Sequence, residues 1–122
     1  MLSKKLVLVV EDNAFLALDL SEAVEELDGL VAGPTNRVAH ALELLDDGGI
    51  AAAIVDCHLE GQDVLMLASK LAELEVPFIV HFETELPLTM IELHPDVPKL
   101  RKPIQPQSSM EYLLAEMAKA SD

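Results

Sequence analysis

Three acidic side chains follow two apolar runs of strand length, and carboxylates in this position can take part in metal-assisted phosphoryl chemistry. Glu11 and Asp12 come directly after the run from Lys5 to Val10, and Asp56 follows the run from Ile50 to Val55. Carboxylates that lie a few ångströms apart repel one another unless a cation compensates them. Mg²⁺ binds one or two carboxylates together with phosphate oxygens, and an aspartate beside it can attack a phosphoryl group.

The elements that must position these acids alternate along the chain between strand-like and helix-like patterns. Each of the first four apolar runs is followed by a segment whose apolar residues recur at helical spacing, as in Leu16, Leu20 and Val24. Phe15 and Leu18 are included in the apolar face predicted for the first helix. The predicted strands are Lys5–Val10, Leu30–Pro34, Ile50–Val55, Val76–Phe82 and Val97–Arg101, and the second predicted helix starts at Thr35 or Asn36.

Five strands that alternate with five helices predict an α/β fold, doubly wound like flavodoxin, with one parallel sheet in the order 2-1-3-4-5. This order puts a topological switch between the first and third strands, where ligands bind at the carboxyl ends of the strands. Glu11 and Asp12 would then lie beside Asp56. Lys102, which precedes Pro103 after the fifth predicted strand, is placed to supply a positive charge.

Composition limits the functions that this chain can have. Its 122 residues predict a single domain over 1–122, and 51% hydrophobic residues are enough for a core. The 22 acidic and 8 basic residues give a net charge of −14, which opposes direct binding to nucleic acid or to an anionic membrane. A single cysteine and the absence of a signal-peptide pattern predict a cytoplasmic protein.

Four spaced motifs in the chain resemble those of the CheY-like receiver domains of two-component response regulators. The motifs are Leu8-Val9-Val10-Glu11-Asp12-Asn13, Ile54-Val55-Asp56 with Leu59 and Gly61, Val76-Pro77-Phe78-Ile79, and Leu100-Arg101-Lys102-Pro103. They occur in the family's order and cover nearly the whole chain. The Pro77-Phe78 step and the Val97-Pro98 pair resemble a divergent subgroup of stand-alone receivers.

The resemblance implies a role for each matching residue. Asp56 is the phosphoacceptor, and Glu11, Asp12, Asp56 and the backbone carbonyl of His58 hold Mg²⁺, while Lys102 contacts the phosphoryl group. The donor is a histidine kinase or a histidine phosphotransfer protein. The chain is then a phosphoacceptor in a phosphorelay, not an enzyme beyond modifying itself. We expect it to act without its own effector domain, through contacts with a downstream protein, and a homodimer is left open.

Two family positions are changed in this chain. Receivers carry Ser or Thr at the end of the fourth strand, and counting from Val76-Pro77 places Phe82 there. A phenyl ring cannot donate a hydrogen bond to a phosphoryl oxygen, although Thr84 or His81 could substitute for the hydroxyl. The fifth predicted strand also lacks the family's aromatic residue. The sequence therefore leaves open a pseudo-receiver, a phosphorylation-independent interaction module of the same fold.

Two other chemistries are less consistent with the sequence. An aspartate-nucleophile phosphatase needs a second aspartate two positions after the first, and His58 stands there. A metal or thiol site at Cys57-His58 lacks a second Cys/His pair within range, and alternation sends the two side chains in opposite directions.

The segment from Leu86 to Leu93 has more apolar residues than one buried helical stripe needs. It is either a deeply sunk helix or a docking face for a partner or a second copy of the chain. The candidate docking residues are Leu86, Leu88, Met90, Ile91 and Leu93.

Overall fold

A computed structural model describes residues 1–121 of the chain as one parallel sheet with helices on both faces. The strand order is 2-1-3-4-5, which confirms the predicted α/β fold. Asp122 lies outside the described residues, so the prediction of one domain over 1–122 stands as a prediction at that end. The elements are β1 (Leu6–Val10), α1 (Ala14–Glu26), β2 (Leu30–Thr35), α2 (Val38–Asp46), β3 (Ile50–Asp56), α3 (Val64–Glu73), β4 (Phe78–Phe82), α4 (Leu88–Leu93), β5 (Lys99–Arg101) and α5 (Pro106–Ser121).

Alternation along the strands divides the core into two clusters, one on each face of the sheet. Val7 and Val9 of β1 pack with α1 and α5, whereas Leu8 and Val10 pack with α2, α3 and α4. Because both faces are covered, the inner strands are apolar on both sides, as expected for a parallel sheet. Within residues 1–121, none of the helices combines the length and apolar character needed to cross a bilayer.

Several predicted boundaries are wrong by a few residues because of prolines. β4 begins at Phe78 and β5 at Lys99, each one residue after a proline, because Pro77 and Pro98 have no N–H for the ladder. Their carbonyls still accept hydrogen bonds, Pro77 from the Ala53 N–H and Pro98 from the Val80 N–H. The helix predicted from Leu86 starts at Leu88, after Pro87.

The second helix starts later than predicted because β2 continues further. The Thr35 carbonyl accepts from the Glu11 N–H at 2.9 Å, so Thr35 still pairs with the chain that leaves β1. Helix α2 therefore begins at Val38, with Arg37 as an N-cap that makes no side-chain hydrogen bond. By contrast, α1 has a side-chain cap, since Asn13 Oδ1 accepts from the N–H groups of Phe15 and Leu16 at 3.0 Å each.

Two residues of the apolar face predicted for α1 are not in the core. Phe15 is 83% exposed and Leu18 is 56% exposed, whereas Leu20 and Val24 are fully buried. The helix turns 100° per residue, so the five apolar residues predicted for this face cover too much of the helix surface for one contact with the sheet. The prediction was wrong for Phe15 and Leu18, which lie outside the stripe that faces β1.

Candidate functional site

Pairing in the sheet brings the predicted site residues to one edge. Val10 of β1 is in register with Val55 of β3, so the next residues, Glu11 and Asp56, are neighbours at the carboxyl ends of these strands. Asp56 is in turn the register partner of His81 in β4. Phe82 of β4 pairs with Arg101 of β5, which places Lys102 one step beyond the ladder.

The centre of the site is the Lys102 ammonium, which bridges two buried carboxylates. Lys102 Nζ lies 2.8 Å from Glu11 Oε2 and 3.2 Å from Asp56 Oδ2. A third carboxylate, Glu83 Oε1, lies 3.7 Å from the same nitrogen, but its side chain is mostly exposed. We call Glu11, Asp56 and Lys102 the acid–lysine cluster. One cation here serves two buried anions, so the cluster retains a net negative charge.

Asp56 is held by main-chain donors as well as by Lys102. Its Oδ1 accepts from the His58 N–H at 2.9 Å, and the Asp12 N–H lies 3.4 Å from its Oδ2. The residue is only 1% exposed. Burial raises the pKa of Asp56, and the nearby charge of Glu11 acts in the same direction, although the His58 N–H and Lys102 oppose it.

Glu11 and Lys102 shift in the direction that strengthens their ion pair. Burial would raise the pKa of Glu11, but the His81 imidazole, Lys102 and the Asn13 N–H together lower it to about 2. Burial would lower the pKa of Lys102, and its contacts with Glu11 and Asp56 outweigh that effect and raise it. The pair is therefore ionised over the physiological range of pH.

The four predicted groups are not all gathered in one pocket. Glu11, Asp56 and Lys102 meet, whereas the Asp12 side chain is exposed and only its main-chain N–H faces Asp56. His58 also presents its N–H to Asp56, and the proposed role of its carbonyl stands as a prediction. Within residues 1–121, no group of three or more His, Cys, Asp or Glu side chains is arranged to hold a metal.

One buried oxygen of the cluster has no hydrogen bond. Glu11 Oε1 is buried and has no hydrogen-bond partner among the described residues. Together with Asp56 it offers hard carboxylate oxygens, and Mg²⁺ is commonly held by one or two carboxylates and several waters. The residues therefore fit Mg²⁺ with two carboxylates, and a third from Asp12 requires that its side chain turn inward.

The residue at the fourth-strand position, Phe82, points away from the acids. Phe82 packs on the core cluster beneath α2, α3 and α4, and its carbonyl accepts from the Lys102 N–H at 2.7 Å. Thr84 is exposed and lines a cleft of about 510 Å³ together with Asn13, Glu83 and Lys102. Thr84 therefore borders the route to the cluster, and its role as a substitute hydroxyl stays a prediction.

Sequence reasoning missed two residues that tie the site to its surroundings. The sequence offers His81 only as a substitute for the missing hydroxyl, yet its side chain is fully buried and its Nε2 lies 2.9 Å from Ser109 Oγ. Gln62 supplies the cap that α2 lacks, because its Oε1 accepts from the Val38 N–H at 2.6 Å. A histidine inside an apolar strand was a visible signal, whereas nothing near Gln62 in the sequence indicated a partner 24 residues away.

The thiol beside the cluster is in surroundings that oppose its ionisation. Cys57 is buried, and burial together with the charge of Asp56 raises the pKa of its thiol to about 12. The reactive form of cysteine is the thiolate, so burial disfavours that form here.

The predicted docking face is wrong at one position. Met90 is buried with 1% exposure and packs in the core beneath α4. Leu86 is half-buried against the same core. Leu88, Ile91 and Leu93 are exposed, because one face of a single short helix can reach the core while the other cannot.

Comparison with solved structures identifies similar proteins. A response regulator receiver protein from Sinorhizobium medicae WSM419 matches with a TM-score of 0.80 and 18% identity, covering 98% of this chain and 99% of that one. SdrG from Sphingomonas melonis Fr1 matches with a TM-score of 0.78 and 30% identity, covering 97% and 99%. The BeF3-activated conformation of SdrG from Pseudomonas melonis Fr1 matches with a TM-score of 0.73 and 31% identity, covering 96% and 98%. No protein-family model and no curated protein matches the chain.

The strand order and the two-sided packing define the class as a doubly wound, flavodoxin-like α/β protein. Among proteins of that class, this chain belongs to the CheY-like receiver domains of response regulators. The likeness supports a role in two-component signalling.

Proposed function

We propose that this protein accepts a phosphoryl group on Asp56 from the phosphohistidine of a histidine kinase or a histidine phosphotransfer protein. The observation that carries the proposal is the Lys102 ammonium 3.2 Å from Asp56 Oδ2 and 2.8 Å from Glu11 Oε2, at the carboxyl edge of the parallel sheet. A carboxylate nucleophile beside a fixed cation is suited to phosphoryl transfer.

In the proposed transfer, a carboxylate oxygen of Asp56 attacks the donor phosphorus. The new O–P bond forms as the N–P bond of the phosphohistidine breaks, and the released imidazole nitrogen takes a proton from solvent. Lys102 moves its contact from Asp56 to the phosphoryl oxygens, where it offsets their charge. A bound Mg²⁺, held by Glu11 and Asp56 with Asp12 and the His58 carbonyl as the remaining candidate ligands, would neutralise the same oxygens.

The burial of Asp56 makes local opening a requirement of this proposal. Because Asp56 is 1% exposed and Lys102 covers Oδ2, a donor reaches the carboxylate only after Lys102 shifts. The cleft lined by Lys102, Glu83 and Thr84 adjoins the cluster and is the proposed direction of approach. Glu83 on that wall is negatively charged, so it opposes an anionic donor.

Output is proposed to occur through contacts with another protein in the cytoplasm, without direct binding to nucleic acid or membrane. The net charge of −14 supports the second part. Leu88, Ile91 and Leu93 on the exposed side of α4 are the proposed contact residues, and a homodimer through them is one form of that contact.

A second candidate function is the pseudo-receiver, an interaction module that needs no phosphoryl group. Phe82 favours it, because the ring faces the opposite core and provides no hydroxyl at the phosphoacceptor. The burial of Asp56 beneath Lys102 is also consistent with a protein that acts without being phosphorylated.

Intact mass after incubation with acetyl phosphate and Mg²⁺ separates these functions. The phosphoacceptor proposal predicts one added phosphoryl group on the wild type and none on Asp56→Asn, while Asp19→Asn on the exposed face of α1 behaves as the wild type. No adduct on a folded wild type supports the pseudo-receiver instead.

A further inference from the structure

A fully buried polar chain runs from the acid–lysine cluster to helix α5. His81 and Ser109 have no solvent exposure, and Glu11 is 3% exposed. His81 Nε2 lies 2.9 Å from Ser109 Oγ, and His81 Nδ1 lies 4.0 Å from Glu11 Oε1. The three residues come from β4, α5 and the end of β1, so their contacts span the sheet face that α1 and α5 cover.

The two atoms that face each other across 4.0 Å are complementary and unpaired. Glu11 Oε1 and His81 Nδ1 are both buried, and neither has a hydrogen-bond partner among the described residues. A carboxylate oxygen accepts and an imidazole N–H donates. The gap exceeds a hydrogen bond by about 1 Å, while Lys102 holds the other oxygen of Glu11 at 2.8 Å. A small displacement of Glu11 would therefore let its Oε1 accept a hydrogen bond from His81 Nδ1.

We propose that His81 is a positioning residue that links the acid–lysine cluster to α5. The neutral imidazole carries its proton on Nδ1, which donates to Glu11 Oε1 when Glu11 moves, and Nε2 accepts from the Ser109 hydroxyl. The link rests on the proposed function in one respect, which is the event that moves Glu11. That event is the shift of Lys102 away from Glu11 and toward a phosphoryl group on Asp56. Since Phe82 faces the other core, this route reaches α5 without the hydroxyl that the chain lacks.

The first test measures the His81 tautomer by nitrogen-15 NMR of the imidazole ring in the wild-type protein without a donor. The proposal expects the proton on Nδ1, with Nε2 unprotonated and accepting from Ser109. A ring protonated on Nε2, alone or together with Nδ1, would overturn it, because Nε2 could not then accept. This measurement requires no substitution, so it holds even if a variant fails to fold.

The second test compares the effects of two neighbouring substitutions on α5. Glu11→Gln alters the charge that faces His81, whereas Asp12→Asn removes an adjacent charge whose side chain is exposed. We expect Glu11→Gln to shift the amide resonances of residues 107–111, and we expect Asp12→Asn to leave them in place. Equal responses to the two substitutions would contradict a path through His81.

The third test removes the Ser109 hydroxyl, which is the last group in the buried polar path. In a Ser109→Ala background, the shift that Glu11→Gln causes at residues 107–111 should be lost. In Ser108→Ala it should persist, because the hydrogen bond to His81 comes from the neighbouring Ser109. An unchanged response in Ser109→Ala would contradict the proposal.

These measurements use no phosphodonor, so they separate the link from the proposed function. Beryllofluoride with Mg²⁺ then tests both in sequence. Absence of any response at Asp56 and its neighbours would count against phosphorylation alone, while a response there that reaches α5 equally in the wild type and in Ser109→Ala would count against the link alone.

Discussion

Lys102 is the residue on which the site depends, because one ammonium compensates two carboxylates that are both buried. The pKa shifts of Glu11 and Lys102 are in the directions of a strong ion pair, whereas burial raises the pKa of Asp56. The negative charge of Asp56 is thus less fully compensated than that of Glu11. Asp56 is also the acid that we propose as the phosphoacceptor.

Replacing Lys102 with Met should destabilise the fold by about 3–5 kcal/mol, because two buried carboxylates would lose their cation. Urea denaturation measures this change. Lys4→Met is the matched control, since Lys4 pairs with Asp28 on the surface with 73% of its side chain exposed, and such pairs contribute about 0–1 kcal/mol. Equal losses for the two variants would contradict the bridging role of Lys102.

The lowered pKa of Glu11 predicts how stability depends on pH. Its pKa falls from the ordinary 4.5 to about 2 in the folded chain, so its contribution is complete above pH 4.5 and is lost as pH falls toward 2. Glu11→Gln should flatten the stability curve in this window. Glu22→Gln, at an exposed position on α1, should keep the wild-type slope because Glu11 is still present. A wild-type slope in Glu11→Gln would refute the assignment.

At the scale of elements, the sequence predicted which segments form helices and strands better than which residues they bury. Apolar spacing located α1, but it could not separate Phe15 and Leu18 from the true core residues Leu20 and Val24. Likewise, the apolar excess in α4 was visible, but only the contact with the sheet shows that Met90 is inside and Ile91 outside. Side-chain burial depends on how a helix is rotated against the sheet, which local sequence does not specify.

The rotation of α1 makes a direct prediction about stability. Leu20→Ala should cost about 2–5 kcal/mol, because it opens a cavity in the core. Leu18→Ala on the opposite side should stay within about 0.5 kcal/mol of the wild type. Both values come from urea denaturation, and a comparable loss for Leu18→Ala would mean that α1 is rotated from the orientation described.

At the scale of the whole molecule, the fold was predictable because a parallel sheet leaves few choices. Continuous apolar strands joined by helices require right-handed crossovers and coverage on both faces, and the acids at the strand ends then meet at the switch point. The closed state of Asp56 and the chain from Glu11 to Ser109 were not predictable, because they depend on contacts between residues far apart in sequence. His81 and Ser109, for instance, are 28 positions apart.

Mg²⁺ should stabilise the whole fold, because it offsets the negative charge that the acid–lysine cluster retains. At about 100 times its dissociation constant, a ligand adds about 2.7 kcal/mol. Thermal unfolding with and without Mg²⁺ measures the gain, which should be smaller in Glu11→Gln. A wild-type melting curve that does not respond to Mg²⁺ would exclude a cation site at these acids.

Phosphorylation of Asp56 is tested by peptide-level mass mapping after incubation with acetyl phosphate and Mg²⁺. We expect a single phosphoryl group on the peptide that contains Asp56, reduced or absent in Lys102→Met and in Glu11→Gln. An added group on any other peptide, or none on the folded wild-type protein, would contradict it.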